Sequence, residues 1–185
     1  GVSRWYIEDL DSYWSFQSGA LLKNATFVDS ALKYSGASTS TITGLSHLEG
    51  ETVTILGDGL VQSDKVVAGG AISLDTAVTT AIVGKRFKAA GQTLREIQGS
   101  QNGTTQSKTK RINRVAVRVN NSQNISIGPD STNMEKITQT SLFSGDVEAV
   151  WPPGYDNLGE VRVEHDDPLP LEVNAIIKYQ ETYDR

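Results

Sequence analysis

Apolar and polar residues alternate over short runs in this chain, and the alternation predicts strands. In "ETVTIL" (51–56) Val53 and Ile55 take one face of a strand while Thr52 and Thr54 take the other. "KVVAGGAISLD" (65–75) repeats the grammar, with Val66 and Val67 before a Gly69-Gly70 turn and Ile72 and Leu74 alternating after it. "AVTTAIVG" (77–84) closes the cluster. Gly57-Asp58-Gly59 reads as a second tight turn, because glycine and aspartate tolerate positive φ. Short strands at this spacing predict a small barrel or meander over 44–84.

The same reading extends to both sides. "TFVDSALKYSG" (26–36) predicts a strand bent at Asp29-Ser30 and closed by a turn at Ser35-Gly36, with a separate β-prone run "ASTSTITGL" (37–45) after it. "RINRVAVRVN" (111–120) is the clearest strand: Val115, Val117 and Val119 face one way, Arg114, Ala116 and Arg118 the other. "NISIG" (124–128) is a short strand ended by Gly128-Pro129. "SGDVEAVWPPGYDNLGEVRVEH" (144–165) predicts two strands around a loop held by Pro152, Pro153 and Gly154, and "LEVNAIIKYQET" (171–182) the last strand. "GQTLREIQGSQNGTTQSKTK" (91–110) reads as a long exposed connection. The aromatic opening, with Trp5, Tyr6, Tyr13, Trp14 and Phe16, suits an irregular strand. Only "STNMEKITQTSLF" (131–143) hints at a helix. The expected class is all-β.

Composition narrows the chemistry. The 185 residues suit one ordinary domain or two small ones, and 37% hydrophobic content supports a core if the residues share it. With no cysteine, disulfides, thiolate catalysis, Cys-ligated zinc and iron–sulfur clusters are excluded. A formal charge of -5 argues against a general nucleic-acid binder, which is usually basic. No apolar run is long enough to span a bilayer. The start, lacking Met and a signal-peptide pattern, suggests a piece of a longer chain.

Three polar clusters are candidates for a site. His47, Glu49 and Glu51 in "GLSHLEGE" lie close together, but a zinc site needs converging ligands, commonly more than one imidazole, and the other histidine, His165, is far along the chain. Turn-backbone contacts are the expected use of that set. "EHDDP" (164–168) could bind calcium or magnesium through oxygen, yet its spacing matches no cation loop and suits a turn before proline. Lys108, Lys110, Arg111, Arg114 and Arg118 form a basic stripe that could follow a phosphate backbone, without interleaved aromatics for base stacking. A nucleophile elbow, a phosphate-cradling glycine loop and a dinucleotide fingerprint are all missing from the sequence.

Several separated stretches carry a resemblance. "FVDSALKYSG", "ITGLSHLEGETVTILGDGLV" and "VVAGGAISLDTAVTTAIVGKRF", then "GTTQSKTKRINRVAVRVNNSQNISIG" and "LFSGDVEAVWPPGYDNLGEVRVEHDDPLPLEVNAI", follow the order seen in tail proteins of tailed bacteriophages. The chain resembles that family over roughly residues 26 to 177. The resemblance implies a component of the tail tube or nozzle that assembles in rings with other tail proteins. It also implies that 44–84 form an insert likened to the small β-barrel half-domain of ubiquitin-activating enzymes, in fold only. The flanks, 1–43 and 85–185, would then form a β-sandwich, with residues 1–25 open to belonging to a preceding domain.

The expected function is therefore a non-enzymatic structural part of a virion tail, without cofactor or metal and without membrane insertion, oligomeric, and shaping a passage for double-stranded DNA. Lys110, Arg114 and Arg118 are the candidate partner- or DNA-facing residues. The alternative is a carbohydrate- or receptor-binding β-module that stacks sugars on Trp151 and Tyr155 of the "WPPGYDN" loop.

Overall fold

The structure is a computed structural model that describes residues 22–95, 99–100, 103–104 and 108–183. The aromatic opening at 5–16 lies outside them. The described chain is nearly all β, in antiparallel sheets, and it divides into two compact units. The first takes in residues up to Phe87 together with Asp166–Pro170; the second comprises Lys88–His165 and Leu171 onward.

In the first unit β1 (Asp29–Thr43), β2 (Thr52–Gly57), β3 (Leu60–Val66) and β4 (Ala71–Lys85) form one sheet in the order β1-β4-β2-β3. The sheet is open, so the expected barrel does not close: β1 and β3 remain at opposite edges. β1 also pairs along β4, from Asp29 opposite Lys85 to Thr43 opposite Ala71. The unit thus joins 29–43 to 44–84, where the resemblance implies a boundary between them. Central β2 is buried on both faces. Val53 and Ile55 enter a cluster with Ile42, Leu45, Leu48 and Val83. Leu56 faces the other way, against Val28, Ile82 and Leu169.

Two hairpins set the register of this sheet. Gly57 pairs with Leu60 across Asp58 (φ 49°) and Gly59 (φ 87°), and Ala68 pairs with Ala71 across Gly69 (φ 62°) and Gly70 (φ 69°). Both two-residue turns have positive φ at both central positions, the geometry whose twist matches antiparallel strands.

The second unit is a sandwich. β5 (Ala89–Gln92), β9 (Ile125–Gly128), β10 (Glu135–Ile137) and β12 (Arg162–His165) form a sheet in the order β10-β9-β12-β5. β8 (Thr109–Ser122), β11 (Phe143–Ala149) and β13 (Val173–Tyr183) form another in the order β11-β8-β13. Val115, Val117 and Val119 of β8 share one core with Ile125 and Ile127 of β9 and Val163 of β12. The remaining short strands, β6 (Gly99–Ser100) and β7 (Gly103–Thr104), pair with each other.

Four local expectations change. The strand begun at 29 runs through Ser35-Gly36 without a turn, because register irregularities between Ser35 and Thr41 absorb the extra residues along β4. "AISLD" and "AVTTAIVG" are a single strand, β4. The 131–143 segment contains β10 in place of a helix, since Glu135–Ile137 pair with Ile125–Ile127. β5 lies at the start of the expected loop, paired with β12.

Gly128 and Gly91 make a matched test of packing. A Cβ at Gly128 would lie 2.0 Å from the Asn133 carbonyl oxygen, whereas one at Gly91 meets nothing within 4 Å. Gly128→Ala is expected to cost about 2 kcal/mol or more of stability through overpacking against backbone. Gly91→Ala should stay within about 0.5 kcal/mol of the parent. Urea unfolding of the two variants checks this, and equal losses would contradict the stated packing.

Candidate functional site

The first candidate cluster is used on the backbone. Glu49 follows the 3-10 turn Ser46–Leu48, and its carboxylate accepts from the Gly69 and Gly70 amides at 2.8 and 2.7 Å. It thereby closes the Gly-Gly turn with a charge-assisted pair. His47 Nε2 lies 3.2 Å from the Ser30 carbonyl, at the residue where β1 bends with φ 51°. Glu51 forms an ion pair with Lys85 at 3.2 Å. Across the sheet Asp58 does what Glu49 does. Its carboxylate accepts from the Thr79 amide and hydroxyl and from the Thr80 amide, at 2.8 to 3.0 Å.

The "EHDDP" run is divided by the fold. Glu164, buried in β12, is held by Lys88 and by Arg162, the latter at 2.7 Å. Asp166 belongs to the first unit and reaches Arg86 at 3.4 Å, while Arg86 also grips Asp64 with two contacts at 2.9 Å. Among the described residues no three His, Cys, Asp or Glu side chains converge to hold a metal ion.

The fold divides the basic stripe. Arg114 and Arg118 do share the outer face of β8, but neighbouring acids meet them there. Arg118 grips Asp146 of β11 at 2.7 and 3.0 Å. Arg114 reaches Glu148 at 3.2 Å and stacks 4.0 Å above the Tyr179 ring. Both pairs are solvent-exposed, a setting in which screening leaves an ion pair little net stabilisation. Lys110 is not on that face. It is only 2% exposed, and its Nζ donates to the Asn157 carbonyl at 3.0 Å. Its backbone bridges to Asp156 in both directions. A side chain turned into the sandwich cannot reach a DNA backbone.

The "WPPGYDN" loop connects β11 to β12, one strand in each sheet, and it walls a cavity of about 380 Å³. Trp151 packs half-buried against the sandwich core, and Pro152 and Pro153 extend the apolar wall. Tyr155 is 62% exposed, with its ring edge-on to Tyr183 at 5.6 Å and under Arg111 at 5.9 Å. Lys110, Asp130, Asp156 and Glu160 also line the cavity. Asp130 is anchored by Thr132 and Asn133, each contributing its amide and its side chain. Asp156 accepts from the Leu158 and Gly159 amides, and Glu160 from Gln92. Sequence reading identified the two aromatics and left out these acids; "GPD" and "GYDNLG" mark turns, with no sign that they meet. A second, mostly apolar groove of about 390 Å³ runs beside β5 and His165.

Compared with known protein families and with curated proteins, the sequence matches none. Among the described residues no helix is long and apolar enough to cross a membrane.

The turn-clamping acids carry a pH signature. The Thr79 amide, followed by its hydroxyl, holds Asp58 below its ordinary value of 3.8. Asp130 is held lower still, chiefly by the Thr132 hydroxyl and then the Asn133 side chain. Asp146 is lowered by Arg118. A carboxylate with a lower pKa folded than unfolded binds fewer protons in the native state. Its contribution is present above the unfolded value and is lost as pH falls through the folded one. Thermal unfolding midpoints should therefore hold steady above about pH 5 and fall progressively below about pH 4. Asp130→Asn, which keeps an acceptor but does not titrate, should flatten part of that acid loss; an unchanged slope would contradict the clamp.

Proposed function

We propose that this chain is a non-enzymatic structural component of a phage tail, assembling with further copies and with other tail proteins around the path of double-stranded DNA. The observation that carries the reading is the length of the open sheet edges. β1 spans 15 residues and β13 spans 11, and each lies at the edge of its sheet with no strand beyond it among the described residues. Natural monomers usually shorten, cover or break such edges, because unpaired amides and carbonyls template another strand. Strand addition is a recurrent way of joining chains. Val173, Tyr179 and Tyr183 of β13 are exposed large hydrophobics beside that edge.

The charged faces fit a conduit better than a DNA grip. Arg114 and Arg118 are neutralised by Glu148 and Asp146, so this face offers little net charge for releasing counterions from a duplex. An overall charge of -5 keeps a passing polyanion from adhering.

Light scattering on the purified chain tests the assembly step. The expected mass is an integral multiple of the 20.0 kDa protomer, with two-fold or higher association at about 100 μM, since weak strand addition needs concentration. A strict monomer there counts against the reading. An antibody to the chain should decorate the tail of the particle that encodes it; label on the capsid or none on the particle would sink the tail assignment.

A further inference from the structure

The cavity walled by the 151–156 loop has a chemical signature of its own, independent of the assembly reading. Lys110 is almost fully buried, lines the cavity, and makes one side-chain hydrogen bond among the described residues, to Asn157. An ammonium carries three donors, so donor capacity is left at the cavity wall without a protein acceptor. With one donor engaged by the Asn157 carbonyl, the ammonium retains capacity for an acceptor placed in the cavity. At about 380 Å³ the space lies within the range of roughly 300–1,000 Å³ typical of small-ligand sites.

The rest of the lining decides what kind of acceptor fits. Asp130, Asp156 and Glu160 are already engaged by Thr132 and Asn133, by the Leu158 and Gly159 amides and by Gln92, and their remaining lone pairs allow an occupant to donate as well as accept. An anionic occupant would satisfy Lys110 but place like charge beside three carboxylates, which is costly at short range. A quaternary ammonium would suit the acids and aromatics but offer Lys110 nothing. Trp151 and the exposed Tyr155 supply flat aromatic surface for an occupant with an apolar face and a polar edge. A neutral sugar ring meets all three demands: hydroxyls that donate and accept, no net charge, and a C–H face to lie on an aromatic ring.

We propose that this cavity is a binding site for a neutral saccharide, with Tyr155 and Trp151 as the stacking surface, Lys110 donating to ring or hydroxyl oxygens, and the carboxylates accepting from hydroxyls. On a tail component such a site would engage a glycan at the particle's surface; on the isolated chain it needs no partner protein.

Saturation-transfer NMR on the full chain, with glucose, galactose, mannose and N-acetylglucosamine as probes, tests the proposal. 3′-Sialyllactose and choline serve as the anionic and cationic controls. Saturable binding of at least one neutral sugar, with a dissociation constant near or below about 1 mM, is expected. Tyr155→Ala, at an exposed position, should weaken it about tenfold while the chain stays folded. Lys110→Met, which keeps the aliphatic stem and deletes the donor, should weaken it comparably; if that variant fails to fold, the Tyr155 variant decides. The proposal is overturned if no neutral sugar binds up to about 20 mM, if sialyllactose or choline alone binds, or if Tyr155→Ala binds as the parent does.

Discussion

Backbone amides at turns and at breaks in strand register lack ladder partners, and in this chain carboxylates supply acceptors there. Glu49 takes the Gly69 and Gly70 amides, Asp58 those of Thr79 and Thr80, Asp130 those of Thr132 and Asn133, and Asp156 those of Leu158 and Gly159. Each acid replaces a lost strand or turn bond with a charge-assisted one, at places where the chain must reverse or change partner. Asp58 extends the β2–β4 ladder past its last paired residue, Gly57, where β1 also loses simple register with β4. The two hairpins of the first unit are thereby anchored at both their turns, and β2 is delivered into the sheet centre with both faces covered. An acidic sequence with few free acids at its turns is the result.

This use of carboxylates explains what could be read from the residues and what could not. Period-two alternation at 51–56 and 111–120 located β2 and β8 correctly, because alternation reports burial on a sheet directly. It did not reveal that β2 is covered on both sides. The second cover comes from Val28 and Leu169, distant in sequence, and Thr54 and Leu56 look alike as outward positions until those residues arrive. Joining 37–45 to the strand before it was hidden by Ser35-Gly36, a turn signal that becomes a strand irregularity when β4 is long enough to accept it. "AAGQ" carries no strand signal at all, and β5 forms only because β12 offers it an edge. "STNMEKITQTSLF" mixes helix-forming Met, Glu and Lys with β-formers, and pairing to β9 outweighs that local preference.

The candidate sites follow the same division. That Arg114 and Arg118 share a face was legible from spacing; that Asp146 and Glu148 sit across from them depends on the β8–β11 register, which no local pattern encodes. Lys110 is the sharper case. It shares sequence parity with Arg114 and Arg118, so period-two counting groups it with them. The register irregularity between Ile112 and Arg114 switches the series, and Lys110 and Ile112 turn inward with Val115, Val117 and Val119. A lysine placed inward by the strand's own geometry must be explained by what lies inside, and here that is the 151–160 loop.

Two kinds of open position are left among the described residues, and they differ in what they can attract. The outer edges of β1 and β13 have no described strand beyond them, and a length of strand edge is matched only by another extended chain. The donor capacity of Lys110 is a single point inside a concave, partly aromatic space, which an extended backbone cannot enter without leaving most of its own groups unpaired. A small molecule with hydroxyls on several sides has the converse fit: it satisfies a point donor and separated acceptors, but gains nothing from a flat strand edge. On the assembly and saccharide readings proposed above, a macromolecular neighbour would take the edges and a small polar one the cavity. The two demands do not compete, because the edges recruit backbone and the cavity recruits side-chain-sized chemistry.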